Sequence, residues 1–210
     1  MPDEQLIVFV KAPRPGAVKS RLAKTMGAAS ACAAYCRLVE TVLRNLSQFE
    51  NVELRFTPDD AALEIKPWLR PGWHSLPQVG GDLGDRMHRA FAEHFSAGSK
   101  RVVIIGSDCP DVAPADIREA WKELKNADLV LGPATDGGYW LIGLRRPEPT
   151  GAPSDRARVS VFEGISWGSD SVLADTLQRA KAANLPVGIL RILTDVDTEQ
   201  EWREFVASSP

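Results

Sequence analysis

The sequence predicts an α/β fold, with a mainly parallel central sheet and helices on both faces. Three observations lead there. Leu6–Val10 and Val102–Ile105 are continuous, β-branched apolar runs, the mark of strands buried on both faces. Stretches with apolar residues at helical spacing alternate with such runs along the chain, which is the pattern of crossover-connected parallel strands. No internal repeat, low-complexity tract or linker interrupts the 210 residues, so a single domain spanning 1–210 is expected.

After the first strand and a basic loop, an Ala-rich helix is predicted over Ser20–Ser47, broken near Gly27. Val52–Phe56 alternates as a second strand. A weaker helix over Ala61–Leu69 is interrupted by Pro67. From Leu83, the residues Met87, Ala90, Phe91 and Phe95 follow at helical spacing. The strand in "RVVIIGSD" precedes a helix opened by Pro114, with Ile117, Ala120, Trp121 and Leu124 on one stripe. "ADLVLGPA" and "GYWLIGL" read as two further strands. Pro147–Val159 reads as a long loop, Ser171–Ala183 as a helix and Val187–Ile192 as a strand. Thr198 and Glu201 have capping-box spacing for a terminal helix with Trp202, Phe205 and Val206 on its apolar stripe.

Composition excludes several function classes. The chain is 44% hydrophobic and 25% charged, ordinary for a globular protein. Its net charge of -3 argues against a general nucleic-acid or membrane-surface binder, which needs a basic excess. No stretch approaches the ~20 apolar residues of a membrane span, and the first residues carry acids where a signal peptide needs bases. Cys32, Cys36 and Cys109 match no metal-ligand spacing and read as small buried hydrophobes in a reducing cytoplasm.

Against that acidic background, "FVKAPRPGAVKSRLAK" carries Lys11, Arg14, Lys19, Arg21 and Lys24, with no acid before Glu40. Ligands of open parallel sheets collect at the carboxyl ends of strands, where this loop sits. Pro13, Pro15 and Gly16 stiffen the turn and delay the helix. A helix start adds N–H donors and partial positive charge. Loop and helix start together describe a phosphate cradle, or else a solvated basic turn. The sequence has neither the Gly-Lys pair of a Walker A loop nor a dinucleotide fingerprint.

Acids fall at other strand ends. Asp108 follows the apolar strand in "IIGSDCPD", and Asp195 and Asp197 lie in "LTDVDT". Such carboxylates require a cation or hydrogen bonds. Beside a phosphate site they suit a hard divalent ion, Mg²⁺ or Mn²⁺. Local alternatives remain: Asp108 as a turn former before Pro110, and Asp197 as an N-cap with Gln200 at N3. Cys109 has no neighbouring histidine to activate it. His94 reads as a packed helix residue, and His74 and His88 carry no signal.

Taken in order, "FVKAPRPGAVKSRLA", "GDLGDRM", "GSDCP", "GPATDGGYWLIGL", "FEGISWGSDSVL" and "DVDT" resemble the bacterial DUF2064 family. That family is glycosyltransferase-A-like and related to the nucleotidyltransferases of molybdenum cofactor and coenzyme F420. The resemblance runs through nearly the whole chain and implies a nucleotide-diphospho-sugar transferase fold. It implies nucleotide and phosphate contacts at Lys11, Ala12, Pro13, Gly16, Lys19 and Arg21, and base and ribose contacts at Asp82, Gly84 and Arg86. It also implies metal at Asp108 and Asp197, and a sugar or acceptor side at Asp136, Gly137, Gly138 and Trp167. Asp108, Asp136 and Lys19 are the catalytic candidates.

For several of these, a structural role is the open alternative: a helix-opening turn for "GDLGDRM", a β-turn for the glycines and a core position for Trp167. The chain departs from many sugar transferases in lacking a plain D-x-D after a central strand. The expected function is metal-dependent transfer from a nucleotide-sugar donor to a small-molecule acceptor. Nucleotidyl transfer from a triphosphate and nucleotide binding without turnover are the alternatives. The sequence leaves oligomeric state open.

Overall fold

The apolar run Leu6–Val10 lies inside strand β1 (Glu4–Lys11), where Leu6, Ile7, Val8 and Val10 are almost wholly buried. The computed structural model describes residues 3–147 and 160–208. The expected break at Gly27 is present: α1 (Ser20–Met26) ends there at φ +81°, and α2 (Ala28–Asn45) begins. An L side chain rarely adopts that backbone conformation, so glycine stands where the helix axis changes. Strand β2 (Val52–Thr57) follows, then a one-turn α3 (Ala62–Ile65) continued as a 3₁₀ turn over Lys66–Trp68. Pro67 cannot donate to a longer helix.

The remaining elements are β3 (His74–Pro77), α4 (Leu83–Ser96), β4 (Arg101–Ile105), α5 (Pro114–Glu123), β5 (Leu129–Pro133) and β6 (Tyr139–Arg145). A 3₁₀ turn at Ser160–Phe162, α6 (Val172–Ala182), β7 (Val187–Ile189) and α7 (Glu199–Ser208) complete them. The loop expected over Pro147–Val159 lies, Pro147 apart, outside the described residues. The strand expected to reach Ile192 stops at Ile189.

Among the described residues seven strands form a mostly parallel sheet in the order β3-β2-β1-β4-β6-β5-β7. β2 pairs with β3 and β5 with β7 in parallel, while β6 runs antiparallel to both β4 and β5. The fold class is therefore as the sequence predicts, with β6 the reversed strand.

Two compact groups of residues can be described separately. The first comprises Met1–Ile7, Val79–Ile105 and Ala115–Leu193; the second comprises Val8–Gln78, Gly106–Pro114 and Thr194–Pro210. In the second, Leu22, Ala31 and Ala34 pack with Met26 and Trp202, and Leu38 packs with Val196 and Phe205. Helix α7 is thereby fixed to α1 and α2. Of its expected stripe, Phe205 is buried, whereas Val206 is exposed.

β2 differs from its alternating pattern. Glu53 and Arg55 are as buried as their apolar neighbours. They pair with each other, and His74 of β3 lies 2.9 Å from the second oxygen of Glu53. A charge pair of this kind can leave water because each ion supplies the other's solvation.

Candidate functional site

The basic loop begins where β1 ends. The backbone N–H of Lys11 donates to the Tyr35 hydroxyl at 2.7 Å, which in turn lies 3.2 Å from the Lys11 carbonyl and 3.4 Å from Ser107 Oγ. Burial pushes the Tyr35 phenol up, so it stays a neutral donor. Ala12 donates to the Thr57 carbonyl at 2.8 Å, and Arg14 and Ala17 close tight turns behind it. Gly16 sits at φ +84°. Lys19, at the N-cap of α1, also adopts a left-handed conformation, φ 49°, ψ 52°. That conformation costs a lysine about 1–2 kcal/mol, and strain of this kind concentrates at functional positions.

The Lys19 side chain is held by two acids. Its ammonium is hydrogen-bonded to Asp108 and lies 2.8 Å from Asp197 Oδ1. The lysine side chain is 3% exposed, while the two carboxylates are 45% and 34% exposed. Burial is the strongest single influence on the ammonium and pulls its pKa down. The two carboxylates together outweigh it and hold the pKa above the ordinary lysine value. Arg21, largely exposed, approaches Asp197 Oδ2 at 3.6 Å.

Two further contacts fix the acids. Val196 N–H donates to the Asp108 carbonyl at 3.0 Å, tying the turn after β4 to the segment before α7. Glu201 Oε2 accepts from Asp197 N–H at 2.8 Å and Thr198 N–H at 2.7 Å, while Glu201 N–H donates to Thr198 Oγ1. The cap of α7 is therefore Thr198, as its spacing with Glu201 implies, and not Asp197 with Gln200. The Asp197 side chain is left to the cluster.

Cys109 donates its thiol proton to Asp195 Oδ1 at 2.6 Å. Burial first, then the Asp195 carboxylate, push that thiol up. It is a hydrogen-bond donor and not a nucleophile. The three cysteines are free thiols, as expected; Cys32 and Cys109 are buried and Cys36 partly so.

The positive charge of the loop is thus answered largely by acids distant in sequence. Arg14 binds Asp60 at 3.0 Å and Glu64 at 2.6 Å, which removes it from the phosphate donors. Among the described residues Lys11 and Lys24 form no ion pair.

The other sequence candidates belong to the first group of residues. Asp82 and Asp85 form a reciprocal capping box at the start of α4, and Arg86 Nε donates to the Gly81 carbonyl at 3.0 Å. A Cβ at Gly84 would stand 2.8 Å from the Trp167 ring, so the indole lies directly on the helix backbone there. Asp136 Oδ1 accepts from Gly138 N–H at 2.9 Å, closing the turn between β5 and β6. The space a side chain at Gly137 would take is filled by the backbone of Asp170.

Sequence reasoning singled out Lys19, Asp108 and Asp197, which the structure brings together. It missed Tyr35, and it read Glu201 as the capping partner of Thr198 without the second contact, to the Asp197 N–H. Tyr35 carried only a faint signal, a polar tip on the buried face of α2. Replacing Tyr35 by Phe keeps the ring against Trp68 and leaves the Lys11 N–H without its acceptor. The expected result is a loss of about 1–3 kcal/mol in urea unfolding, with faster hydrogen exchange at the Lys11 amide. Unchanged exchange there would show that the hydroxyl does not secure the loop.

With this geometry in view, comparison with known proteins gives the chain's relatives. A search of curated proteins finds no match. Among solved structures, one from Desulfovibrio desulfuricans G20, named as a proposed nucleotide-diphospho-sugar transferase, is 36% identical. It superposes with TM-score 0.84 over 94% of this chain and 84% of that one. A 4-diphosphocytidyl-2C-methyl-D-erythritol synthase from Anaerococcus prevotii is 10% identical, with TM-score 0.60 over 98% of each chain. A Mycobacterium tuberculosis protein solved in complex with manganese is 15% identical, with TM-score 0.55 over 98% of this chain and 99% of that one. At those identities the last two share the fold alone. Among the described residues no helix is long and apolar enough to cross a membrane. Residues 42–169 match the family described as "Uncharacterized protein conserved in bacteria (DUF2064)", and with the 36% identical structure spanning most of the remainder, the chain belongs to the DUF2064 family.

Proposed function

We propose that the chain is a metal-dependent transferase acting on an activated nucleotide, and specifically that it transfers a glycosyl group from a nucleotide-sugar to a small-molecule acceptor. One observation carries this reading: a buried ammonium and two half-exposed carboxylates meet where the β1 loop opens α1. A cation and acids at one strand-end site match the needs of a diphosphate with its counter-ion. The 36% identical relative, named as a proposed nucleotide-diphospho-sugar transferase, supports the finer choice.

The donor set fits a hydrated Mg²⁺ or Mn²⁺. Such ions are commonly held by one or two carboxylates plus substrate phosphate oxygens, and Asp108 and Asp197 each keep surface open to solvent. When bound, the ion would neutralise diphosphate charge. Lys19 and Arg21 would bind the phosphate oxygens. The acceptor hydroxyl would attack the anomeric carbon, its bond to the diphosphate oxygen would break, and the nucleoside diphosphate would leave with the bonding pair. The hydroxyl proton would pass to a base. Charge stabilisation and positioning would supply most of the rate.

The test is a thermal-shift screen of nucleotides and nucleotide-sugars with Mg²⁺ or Mn²⁺, followed by product analysis of the donors that stabilise the protein. Metal-dependent nucleoside diphosphate release with an acceptor supports glycosyl transfer. Pyrophosphate release from a triphosphate would replace it with nucleotidyl transfer. Stabilisation without product from any donor and acceptor pair would leave a binding module.

A further inference from the structure

Lys19 stands in an unusual relation to the two acids proposed to hold the metal. Its ammonium is hydrogen-bonded to one oxygen of Asp108 and to Oδ1 of Asp197, so one cation already bridges the pair. The bridge is built in. The lysine side chain is 3% exposed, its backbone holds a left-handed conformation at the helix start, and the Glu201 cap and the Val196–Asp108 hydrogen bond fix the segments that bear the acids.

We infer that Lys19 is the resident counter-ion of Asp108 and Asp197, that it opposes capture of a bare divalent cation, and that the ion therefore enters together with an anionic diphosphate. This rests on the reading above, in which these two aspartates take the metal. A divalent ion arriving alone meets two carboxylates whose charge is already half offset by a fixed positive charge a few ångströms away, and like charges at that range repel strongly in a partly dry site. A metal–diphosphate complex brings no excess positive charge: it is net negative with free pyrophosphate and neutral with the twice-charged diphosphate of a nucleotide-sugar. It gives the ammonium and Arg21 new acceptors while the ion takes the carboxylates. Metal and diphosphate then bind with positive coupling, each raising the affinity for the other by the same factor. Neutralising Lys19 has opposite effects on the two ligands, which a residue serving only to bind phosphate would not produce.

The experiment titrates the full-length chain with Mn²⁺ alone, following free Mn²⁺ by electron paramagnetic resonance, and separately with pyrophosphate in the presence of Mn²⁺ by calorimetry. Lys19→Gln keeps an N–H donor on a side chain one atom shorter and removes the charge. It is expected to bind Mn²⁺ alone at least about tenfold more tightly than the native chain and Mn²⁺-pyrophosphate at least about tenfold more weakly. Lys19→Arg keeps the charge and should bind Mn²⁺ alone as weakly as the native chain. Lys19→Met serves if the Gln variant does not fold by circular dichroism. Equal or weaker Mn²⁺ binding by the neutral variants, or tighter binding by Lys19→Arg as well, would overturn the counter-ion role. No sugar donor enters these measurements. Failure to find a glycosyl product would sink the glycosyl-transfer reading and leave this result standing, and the reverse holds as well.

Discussion

Removing both carboxylates, with Asp108→Ala and Asp197→Ala together, is expected to cost about 3–5 kcal/mol of folding stability, the range for stranding a buried charge. The penalty belongs to Lys19. Its side chain is 3% exposed, so water cannot take the place of the lost partners, whereas the aspartates are exposed enough to lose little on their own account. Arg21 adds almost nothing to the ledger, since its contact with Asp197 is long and largely solvated. A domain of this kind has about 5–15 kcal/mol in total, so the change is visible as a large drop in the urea midpoint.

Two further measurements separate a stranded charge from general damage. Adding Lys19→Met to the double variant should restore most of the loss, because an apolar replacement of a buried ion pair is often neutral. Stability should also respond to pH with a defined sign. In the native chain the carboxylates hold the Lys19 pKa above its ordinary value. That contribution is therefore complete below the ordinary lysine value and fades as pH rises past it. In the double variant burial alone remains and depresses the pKa, so the deficit should narrow as pH rises into the alkaline range. A double variant as stable as the native chain would mean that Lys19 finds solvent or another partner when the acids are gone.

The cluster shows what a sequence discloses and what it withholds. Lys19, Asp108 and Asp197 stood out because charge beside an apolar run is a local signal, and the strand order carries such positions to one edge. β1, β4, β5 and β6 were legible for the same reason, since a continuous apolar run needs cover on both faces. β3 was not: "HSLP" is four residues long, with a proline and no apolar period. β2 misleads in another way. Its alternation is that of a half-buried strand, whereas the pairing of Glu53 with Arg55 and His74 helps the polar positions to be buried. The partners of Arg14 lie 46 and 50 residues away, and the acid that accepts the Cys109 hydrogen bond lies 86 residues away. Nothing local marks such pairings, because the fold creates them.

Gly137→Ala is the second large effect expected. Here the sequence invites a ligand-centred reading, with two glycines beside Asp136, while the structure gives an internal reason. A Cβ on Gly137 would stand 2.1 Å from the Asp170 carbonyl oxygen and 2.7 Å from its carbonyl carbon, and the backbone φ is +90°. Neither atom belongs to a flexible side chain that could swing aside. Leu173 N–H also donates to the Gly137 carbonyl at 2.9 Å, so the turn joining β5 to β6 is docked on the segment that starts α6. Adding a methyl must part the two. The expected cost is about 3–5 kcal/mol, in the class of backbone strain and overpacking.

Gly27→Ala is the control. Its φ is nearly the same, +81°, yet nothing lies within 4 Å of the added carbon, so only the conformational cost of about 1–3 kcal/mol should appear. Comparing the two variants by urea unfolding separates conformation from contact. A large gap assigns Gly137 to packing, and its place next to Asp136 then reflects how the turn is anchored. Equal losses would show that the turn at Gly137 moves away from Asp170 without penalty. Space for a ligand could then open at that glycine, and the acceptor-side assignment would regain its local support.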